Sequence, residues 1–520
     1  MSRTASAAPP RLVPDARAPG APATAAVCSH GPIRCHAHVL ITAAGEIAAA
    51  AAPLAAPPGL GPAQIQSAYQ IDPSQAKPAT VAIVDAFGYA DLESDLAVYR
   101  AQFGLPPCTR ASGCLTILNQ SGATSPLPPE SPPDDDWPEE TALDVDAISA
   151  ACPSCKIIVV QANDTTPINM FTGNNTAAGL HPTVISDSWG VPTAMGVDVS
   201  PGEPFFDHPG IAQFVASGDK GYDEGGMGPT YPSTSAHTIS VGGTSLVQAA
   251  NARGWSETAW AKGGSSCSYT IPRPAYQTST ECQFRAASDI AAVGDPATGL
   301  AVYNARAGGW VVVGGTSAAS PLVAALFASI GRGDITAAQI AQSTRALFDV
   351  TSGSNGTCGT LLCNATTGWD GPTGFGTPSA ALLSGAAAPG GLDVAITSPA
   401  DGDSVDPGFQ VMATASASAA VVGLFIDGNL LRTATAPPYV FSTSTNLSFG
   451  VHDVQVVAQD AQNNQVVSAI RVKVRFGGTA GPPPDPETGN GGGCRAGGDP
   501  APGALLALIA AVVVPLRRRR

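Results

Sequence analysis

Residues 314–321 read Gly-Gly-Thr-Ser-Ala-Ala-Ser-Pro, and an apolar pattern at helical spacing follows them. The apolar positions are Leu322, Val323, Leu326, Phe327 and Ile330. Small residues allow close approach of the chain, and a serine that opens a helix lies at the positive end of the helix dipole. Ser317 is therefore a candidate nucleophile, although Gly-Thr-Ser turns also occur without catalysis.

Short β-branched runs alternate with helical stretches upstream of this segment. The predicted buried strands are Thr80–Val84, Lys156–Val160, Val184–Ser188 and Gln213–Ala216, and the predicted helices are Asp91–Phe103 and Glu140–Ala151. Alternation of this kind is typical of α/β domains with a parallel sheet. We expect one such domain over residues 56–388.

A serine hydroxyl needs a base before it can attack a carbonyl, and histidine is the usual base. None of the seven histidines stands in a His-Gly-Thr-His setting before a helix. Asp85 ends the first predicted strand, where subtilisin-like enzymes have an aspartate. A histidine-dependent subtilisin stays open only if His181 or His208 meets Asp85.

Carboxylates offer a different base. Glu140 and Asp144 are four residues apart, so both lie on one face of the predicted helix. If they are partly desolvated, they would share a proton and provide one basic oxygen beside Ser317. The alternative is a solvated helix start whose acids are favoured by the helix dipole.

Asp219 follows an apolar strand and lies in the sequence Ser217-Gly-Asp-Lys-Gly221. Open α/β sheets place their sites at the carboxyl ends of strands. A protonated Asp219 would be able to donate a hydrogen bond to a developing oxyanion. The alternative is an ordinary turn aspartate.

Taken in order, Glu140-x-x-Leu-Asp144, Ser217-Gly-Asp219-x-Gly221 and the segment around Ser317 resemble the sedolisins. These are serine-carboxyl peptidases with a subtilisin-like fold. Further matches are Pro62–Tyr69, Ile185–Gly190, Tyr231-Pro232, Val241–Thr244, Glu257–Trp260 and Gly368–Asp370. The resemblance covers residues 56–385.

The resemblance implies a role for each of these four residues. Ser317 would be the nucleophile, Glu140 the base, Asp144 its partner and Asp219 the oxyanion donor. The expected activity is hydrolysis of protein or peptide substrates at acidic pH.

Sedolisins also bind calcium near the end of the catalytic domain, and two stretches here match that loop pair. The resemblance implies carboxylate ligands from Asp349 and Asp370 and carbonyl ligands from Val350, Thr366 and Gly368. Oxygen atoms of these types are the ligands that Ca²⁺ prefers. The family often has glycine at the Thr366 position, a mild departure because any residue supplies a carbonyl. The alternative is a Gly-rich turn with unliganded acids.

The pattern changes to strict alternation over residues 391–476, as at Val454, Val456 and Ala458. Asp427-Gly-Asn429 predicts a hairpin turn after Leu424–Ile426. We expect a small all-β Ig-like sandwich that resembles modules appended to bacterial surface proteins. A spacer role and a polymer-binding role both stay open, because fold does not assign function.

The 11 cysteines occur as five close pairs, with Cys494 left over. This spacing predicts disulfides and an oxidising compartment. Cys152 and Cys155 also have the spacing of metal knuckles or thiol redox sites, but no second pair completes a zinc site.

The two ends of the chain differ in character. We expect residues 1–55 to be disordered, residues 477–502 to be a Gly/Pro linker, and residues 503–520 to be a hydrophobic helix with an arginine tail. That tail resembles bacterial sorting tails, and it predicts a secreted or cell-surface protein with membrane attachment.

The charge composition of the chain limits the kinds of partner that it is expected to bind. With 25 Lys and Arg against 40 Asp and Glu, the net charge of −15 argues against nucleic acid. We expect a monomer. A catalytically silent adhesin is the remaining alternative, because sedolisins are made with a long folded propeptide and residues 1–55 are too few for one. Zymogen control is therefore open.

Overall fold

A computed structural model describes residues 15, 22–28, 30–51, 56–132, 135–277, 281–384, 392–400, 402–461 and 465–475. The chain divides into two units, Met1–Phe476 and Gly477–Arg520. All described residues lie in the first unit. The predicted linker, the hydrophobic helix with its arginine tail, and Cys494 lie outside the described residues.

Seven helices and twenty-seven strands occur in the described ranges. The helices are α1 Pro62–Ala68, α2 Leu92–Gln102, α3 Trp137–Ala151, α4 Pro167–Gly179, α5 Thr316–Ser329, α6 Ala337–Gln342 and α7 Ala380–Leu383. The strands up to residue 378 are β1 Thr24–Ala26, β2 Arg34–Cys35, β3 His38–Leu40, β4 Thr80–Ala86, β5 Leu115–Asn119, β6 Lys156–Ala162, β7 Val184–Asp187, β8 Trp189–Pro192, β9 Ala212–Ala216, β10 Thr230–Tyr231, β11 Ile239–Gln248, β12 Trp255–Ala259, β13 Ser266–Pro272, β14 Phe284–Ala287, β15 Ile290–Val293, β16 Leu300–Asn304, β17 Gly309–Gly314, β18 Leu347–Phe348 and β19 Thr377–Pro378. The remaining strands are β20 Val394–Ser398, β21 Ser404–Val405, β22 Gln410–Ala415, β23 Val421–Ile426, β24 Asn429–Ala434, β25 Tyr439–Ser442, β26 Gly450–Gln459 and β27 Gln465–Val474.

The central sheet has the order β12-β11-β9-β7-β4-β6-β5, and β15 also pairs with β11. Its strands from β11 to β5 run parallel, whereas β12 is antiparallel to β11. Parallel strands are buried on both faces, which explains the continuous apolar runs in the sequence. The predicted subtilisin-like α/β architecture is confirmed, with element bounds within three residues of those expected.

Helices α3 and α5 pack against each other, and every residue of both is buried. Helix α5 is apolar after its first turn, so its burial contributes roughly 1.5–3 kcal/mol for each large side chain. In α3, however, Glu140 and Asp144 are fully buried as well. Burial of charged groups costs free energy, so their retention in a core helix indicates a functional role.

The expectation of disorder over residues 1–55 is wrong for residues 22–28 and 30–51. Strands β1 and β3 join β17 and β16 in an antiparallel sheet, and β2 pairs with β8. Val27, Ile33 and Val39 are buried in the main hydrophobic core. The Ala- and Pro-rich composition concealed these strands because they are short and pair only with distant parts of the chain.

Strands β20 to β27 form two sheets, of orders β20-β22-β25 and β21-β27-β26-β23-β24. A separate core fills the space between them, including Val411, Leu424 and Val456. The predicted hairpin is present, because Asp427 and Gly428 both have positive φ between β23 and β24. The Ig-like sandwich is therefore confirmed.

All five predicted disulfides form. They are Cys28–Cys35, Cys108–Cys114, Cys152–Cys155, Cys267–Cys282 and Cys358–Cys363. Cys152 and Cys155 are thus a disulfide and not a metal knuckle. Among the described helices, none combines the length and the apolar character that crossing a bilayer requires.

Candidate active site

The candidate site lies at the carboxyl edge of the central sheet. Asp85 is the penultimate residue of β4, Ser188 follows β7, and Asp219 follows β9. Ser317 lies beside them as the second residue of α5, and α3 brings in Glu140 from the adjacent layer. The structure therefore gathers the four sequence-predicted catalytic residues at one place, the position that open α/β sheets favour for ligands.

Ser317 is held by backbone groups on both sides. Its hydroxyl donates to the carbonyl oxygen of Ser188 at 2.9 Å and accepts from the backbone N–H of His36 at 3.0 Å. The Ser317 amide donates to the carbonyl oxygen of His36 at 2.9 Å. These contacts hold the hydroxyl between the Ser188 carbonyl and the His36 amide.

Glu140 is fully buried, and neither carboxylate oxygen has a hydrogen-bond partner among the described residues. Burial, with repulsion from Asp85, raises the pKa of Glu140 well above its usual value. The nearby Ser317 hydroxyl lowers that pKa in part, which indicates that the two side chains are close. A buried acceptor with spare oxygens beside a hydroxyl is suited to receive its proton.

Asp144 continues the carboxylate cluster one helical turn later. Its Oδ1 accepts from the Ser188 hydroxyl at 2.7 Å, whereas its Oδ2 has no partner among the described residues. Burial and repulsion from Asp85 and Glu140 raise the pKa of Asp144 well above its usual value. Burial raises the pKa of Asp85 itself to about 7. Such a cluster retains protons at pH values where isolated carboxyls are ionised.

The two carboxylate oxygens of Asp219 have different contacts. Its Oδ1 accepts from the Thr316 amide at 2.8 Å and from the Thr316 hydroxyl at 2.9 Å. Its Oδ2 has no hydrogen-bond partner among the described residues and lies 3.5 Å from Nε2 of His38. Burial raises the pKa of Asp219 to about 6, although His38 lowers it in part. Of the two oxygens, Oδ1 is therefore the one fixed by Thr316, whereas Oδ2 keeps spare hydrogen-bonding capacity.

The histidines do not complete a triad with Asp85. The Nε2 of His208 bonds the carbonyl oxygen of Phe205 at 3.0 Å, and His181 is exposed just after α4. The two histidines nearest the site are His36, whose Nε2 is buried without a partner among the described residues, and His38, whose ring faces Asp15 and Asp219. The geometry gives no support to a histidine base for Ser317.

The residues of the expected calcium site lie in two loops, residues 349–350 and 366–370, which contact each other through Asp349 and Gly368. Asp349 Oδ2 accepts from the Gly368 amide at 2.9 Å, and its buried Oδ1 has no partner among the described residues. Asp370 accepts from the amides of Thr366 at 2.8 Å and Thr373 at 2.9 Å. Burial raises the pKa of Asp349 to about 7, and burial followed by repulsion from Asp349 keeps the pKa of Asp370 well above its usual value.

One other group of metal-type side chains occurs in the described part of the chain. Cys28, Cys35 and Glu140 place one ligand atom each within 4.8 Å of one another. Both sulfurs are joined in a disulfide, so they are not available as thiolate ligands. The disulfide instead covers Glu140.

Two parts of this site were absent from the sequence predictions. Ser188 uses its carbonyl oxygen and hydroxyl to link Ser317 to Asp144, and a backbone carbonyl has no signature in a sequence. His36 contacts Ser317 through its backbone. The close pair Cys28 and Cys35 immediately before His36 was the one available signal of an ordered segment.

Comparison with known proteins gives matches for both folded regions. Residues 133–365 match the model of the Subtilase family, and residues 393–456 match the Bacterial Ig domain. Kumamolisin of Bacillus sp. (strain MN-32) is 29% identical over 359 residues, which cover 62% of this chain and 63% of kumamolisin. Sedolisin of Pseudomonas sp. (strain 101) is 31% identical over 200 residues, which cover 33% of this chain and 34% of sedolisin.

Among solved structures, Pseudomonas sedolisin, a serine-carboxyl proteinase complexed with two molecules of pseudo-iodotyrostatin, superposes with a TM-score of 0.53. The sequence identity is 24%, and the match covers 63% of this chain and 98% of that chain. This likeness shows the fold. The chain spans less than two thirds of the length of kumamolisin and about a third of that of sedolisin.

Proposed function

Because the chain carries a subtilase-family domain homologous to kumamolisin and sedolisin, followed by a bacterial Ig domain, we propose that it is a serine-carboxyl peptidase that hydrolyses protein or peptide substrates in acid. The observation that carries the proposal is the position of Ser317 at the start of α5 beside two buried carboxyls, Glu140 and Asp144, in a site where histidine side chains do not contact its hydroxyl.

In this mechanism the Ser317 hydroxyl turns from the Ser188 carbonyl towards Glu140. Glu140 takes the proton as the oxygen attacks the carbonyl carbon of the scissile peptide bond. Asp144 shares a proton with Glu140, so one carboxylate of the pair stays basic while the other stays neutral. The proton then passes from Glu140 to the leaving amine, and water releases the acyl group by the reverse sequence.

The oxyanion would be stabilised by two donors, the backbone N–H of Ser317 and the protonated Oδ2 of Asp219. Preorganised donors in a buried site stabilise developing charge more strongly than water does. Asp219 donates only in its neutral form. Since burial raises the pKa of Asp219 to about 6, the donor is present below that pH and is lost as pH rises through it.

A pH profile tests this mechanism. Hydrolysis of a denatured protein is measured from about pH 3 to about pH 8 for the wild type, Glu140→Gln and the matched control Glu139→Gln. Glu139 is also buried on α3 but accepts from Asn304 Nδ2 at 2.7 Å. We expect an acidic optimum, a loss of at least about 100-fold in Glu140→Gln, and activity within about tenfold of wild type in Glu139→Gln.

The outcomes separate the alternatives. A rate that climbs steadily towards pH 8 rejects the carboxylate base. Full activity in Glu140→Gln would show that a residue other than Glu140 is the base. No hydrolysis by any form at any pH favours a silent adhesin.

We further propose that Asp349, Asp370 and the carbonyls of Val350, Thr366 and Gly368 hold Ca²⁺. The buried Oδ1 of Asp349 has no hydrogen-bond partner in the part of the chain that the structure describes, and a second buried acid lies beside it. This supports the proposal, since a divalent cation relieves the repulsion between the two acids. When bound, the ion supplies positive charge that stabilises the two loops, and no catalytic step uses it.

The five disulfides support a secreted or cell-surface location, because such bonds persist in oxidising compartments. Membrane attachment through the hydrophobic tail remains a proposal from sequence. We propose a monomer in which the Ig-like sandwich serves as a spacer.

A further inference from the structure

The Ig-like sandwich contacts the peptidase domain at the two loops of the proposed calcium site. Both folded regions lie in the one compact unit Met1–Phe476, although each has its own hydrophobic core. One contact is made at Gly368, whose carbonyl is an expected calcium ligand. The other is made at Arg345, which lies four residues before Asp349. The sandwich therefore touches the chain beside both halves of the site.

The first contact places the side chain of Gln455 against Gly368. A Cβ added to Gly368 would lie 3.0 Å from Gln455 Nε2 and 3.3 Å from its Oε1, so a larger residue would crowd the glutamine. Gly368 also has φ of 84°, a conformation that favours glycine. The N–H of the same glycine donates to Asp349 Oδ2 at 2.9 Å. One residue thus contacts the sandwich on one side and a proposed calcium ligand on the other.

Gln455 belongs to the outer face of its sheet. Its neighbours Val454 and Val456 are part of the sandwich core, and side chains alternate along a strand, so Gln455 points outwards. Its Oε1 is nevertheless buried and has no hydrogen-bond partner among the described residues. Val457 and Val467, which pair across β26 and β27, are likewise buried without belonging to the sandwich core. This part of the outer face is therefore covered and not open to solvent.

The second contact is made by Arg345, in the 3₁₀ turn Thr344–Ala346. Its Nη2 donates to Ser468 Oγ at 2.8 Å, and the same oxygen accepts from the Ile396 N–H at 3.0 Å. Strand β27, which carries Ser468, packs against this turn. The turn leads directly into β18, which ends at the residue before Asp349. The arginine and the carboxylate are thus joined by one short strand.

The position of the two loops relative to each other depends on the ion. Bound calcium would hold the carboxylates of Asp349 and Asp370 together, whereas without a cation they repel each other. Because the sandwich contacts the chain beside both loops, it fits one arrangement of the loops better than others. Such coupling is reciprocal, so a ligand that favours docking is itself bound more tightly by the docked form.

We propose that the calcium loop pair is the docking surface of the Ig-like sandwich, and that calcium binding and docking stabilise each other through Gln455 and Arg345. This inference rests on the calcium site of the proposed function. It gives the sandwich a role beyond that of a spacer. The sandwich is anchored to the peptidase domain while calcium is bound and is released when calcium is removed.

Calorimetric titration of the full chain with calcium tests one direction of the coupling. All forms carry Ser317→Ala, which prevents self-digestion, and are first freed of calcium with a chelator. The double variant Gln455→Ala, Arg345→Ala removes both contacts. The matched control is Gln410→Ala, Arg432→Ala, at exposed residues of the same types on β22 and β24. We expect the Kd for calcium to rise at least about fivefold in the first double variant and to keep the parent value in the control.

Small-angle X-ray scattering tests the other direction. The radius of gyration of Ser317→Ala is measured with calcium in excess and again after chelation. We expect the radius to increase on chelation, because the released sandwich samples positions farther from the peptidase domain. The variant Gln455→Ala, Arg345→Ala should show a larger radius than its parent even when calcium is saturating, and the control double variant should behave like the parent.

The outcomes distinguish this inference from the proposed function. An equal Kd in the two double variants rejects the coupling and leaves the calcium site and the peptidase function standing. A radius of gyration that chelation does not change rejects the release of the sandwich. If Ser317→Ala binds no calcium, the calcium site and this inference are both wrong, whereas hydrolysis by the wild type tests the peptidase function separately.

Discussion

At the scale of single residues, Asp219 shows how one carboxyl group can serve two roles. Its Oδ1 is saturated by the amide and hydroxyl of Thr316, whereas its Oδ2 faces the reacting space without a partner among the described residues. The anchored oxygen fixes the orientation, so the free oxygen is available to carry a proton. A side chain that keeps the anchor but cannot ionise should therefore separate geometry from titration.

We predict different effects for two substitutions of this residue. Asp219→Ala removes one oxyanion donor and should lower kcat by about 100- to 1,000-fold. Asp219→Asn keeps an oxygen for Thr316 and an N–H₂ donor, so it should lose less, and the fall in rate as pH rises through about 6 should disappear. The measurement is kcat against pH, with the neighbouring Asp223→Asn as control. If kcat still falls near pH 6 in Asp219→Asn, the titration that causes the fall belongs to another group.

At the scale of elements, the sequence predicts the helices and strands whose apolar residues recur with a regular period. The apolar runs predicted β4, β6, β7 and β9, and helical spacing predicted α3 and α5, because burial on fixed faces imposes those periods. The resemblance to the sedolisins, carried by the acidic and serine motifs, then implied which helix and strand ends meet. Strands β2 and β3 were missed because each has two or three residues, too few to show a period.

Sites in loops are harder to predict from sequence than periodic elements are, because part of their metal ligands are backbone atoms. The resemblance to the sedolisins implied the candidate calcium site with the carboxylates of Asp349 and Asp370 and its carbonyl ligands. The amides of Gly368, Thr366 and Thr373 that contact the two carboxylates, by contrast, depend on loop conformation. Without a cation, two buried acids repel each other, and this repulsion lowers the stability of both loops.

Chelation of calcium should therefore lower the melting temperature. At a hundredfold excess over Kd, the ion stabilises the fold by about 2.7 kcal/mol, which corresponds to several degrees. Asp349→Asn should abolish the response to calcium and should be no less stable than the chelated wild type, because it removes one of the repelling charges. Asp393→Asn, at a side chain that is 73% exposed, should respond like wild type. If chelation leaves the melting temperature of the wild type unchanged, the proposed calcium site is wrong.

At the scale of the whole molecule, buried carboxyls set the dependence of stability on pH. Burial raises the pKa of Asp85 to about 7 and of Glu139 and Glu224 to about 8. The pKa values of a further set also lie well above the usual range, again chiefly through burial: Glu140, Asp144, Asp146 and Asp187. Asp15 acts in the opposite sense, because its contacts with His38 and Lys262 outweigh burial and lower its pKa.

The sign follows from proton linkage. In the unfolded chain these carboxyls ionise near their ordinary pKa of about 4, whereas in the folded protein they keep their protons to higher pH. Stability is therefore fully present below about pH 4 and is lost as pH rises through about 7 to 8. We predict that the melting temperature of Ser317→Ala, in which self-digestion is prevented, falls by roughly ten degrees or more between about pH 4 and about pH 8 with calcium in excess. Calorimetry measures this directly. A protein that melts at a higher temperature at the alkaline end would mean that these acids are paired in the folded state, and the carboxylate mechanism would lose its electrostatic basis.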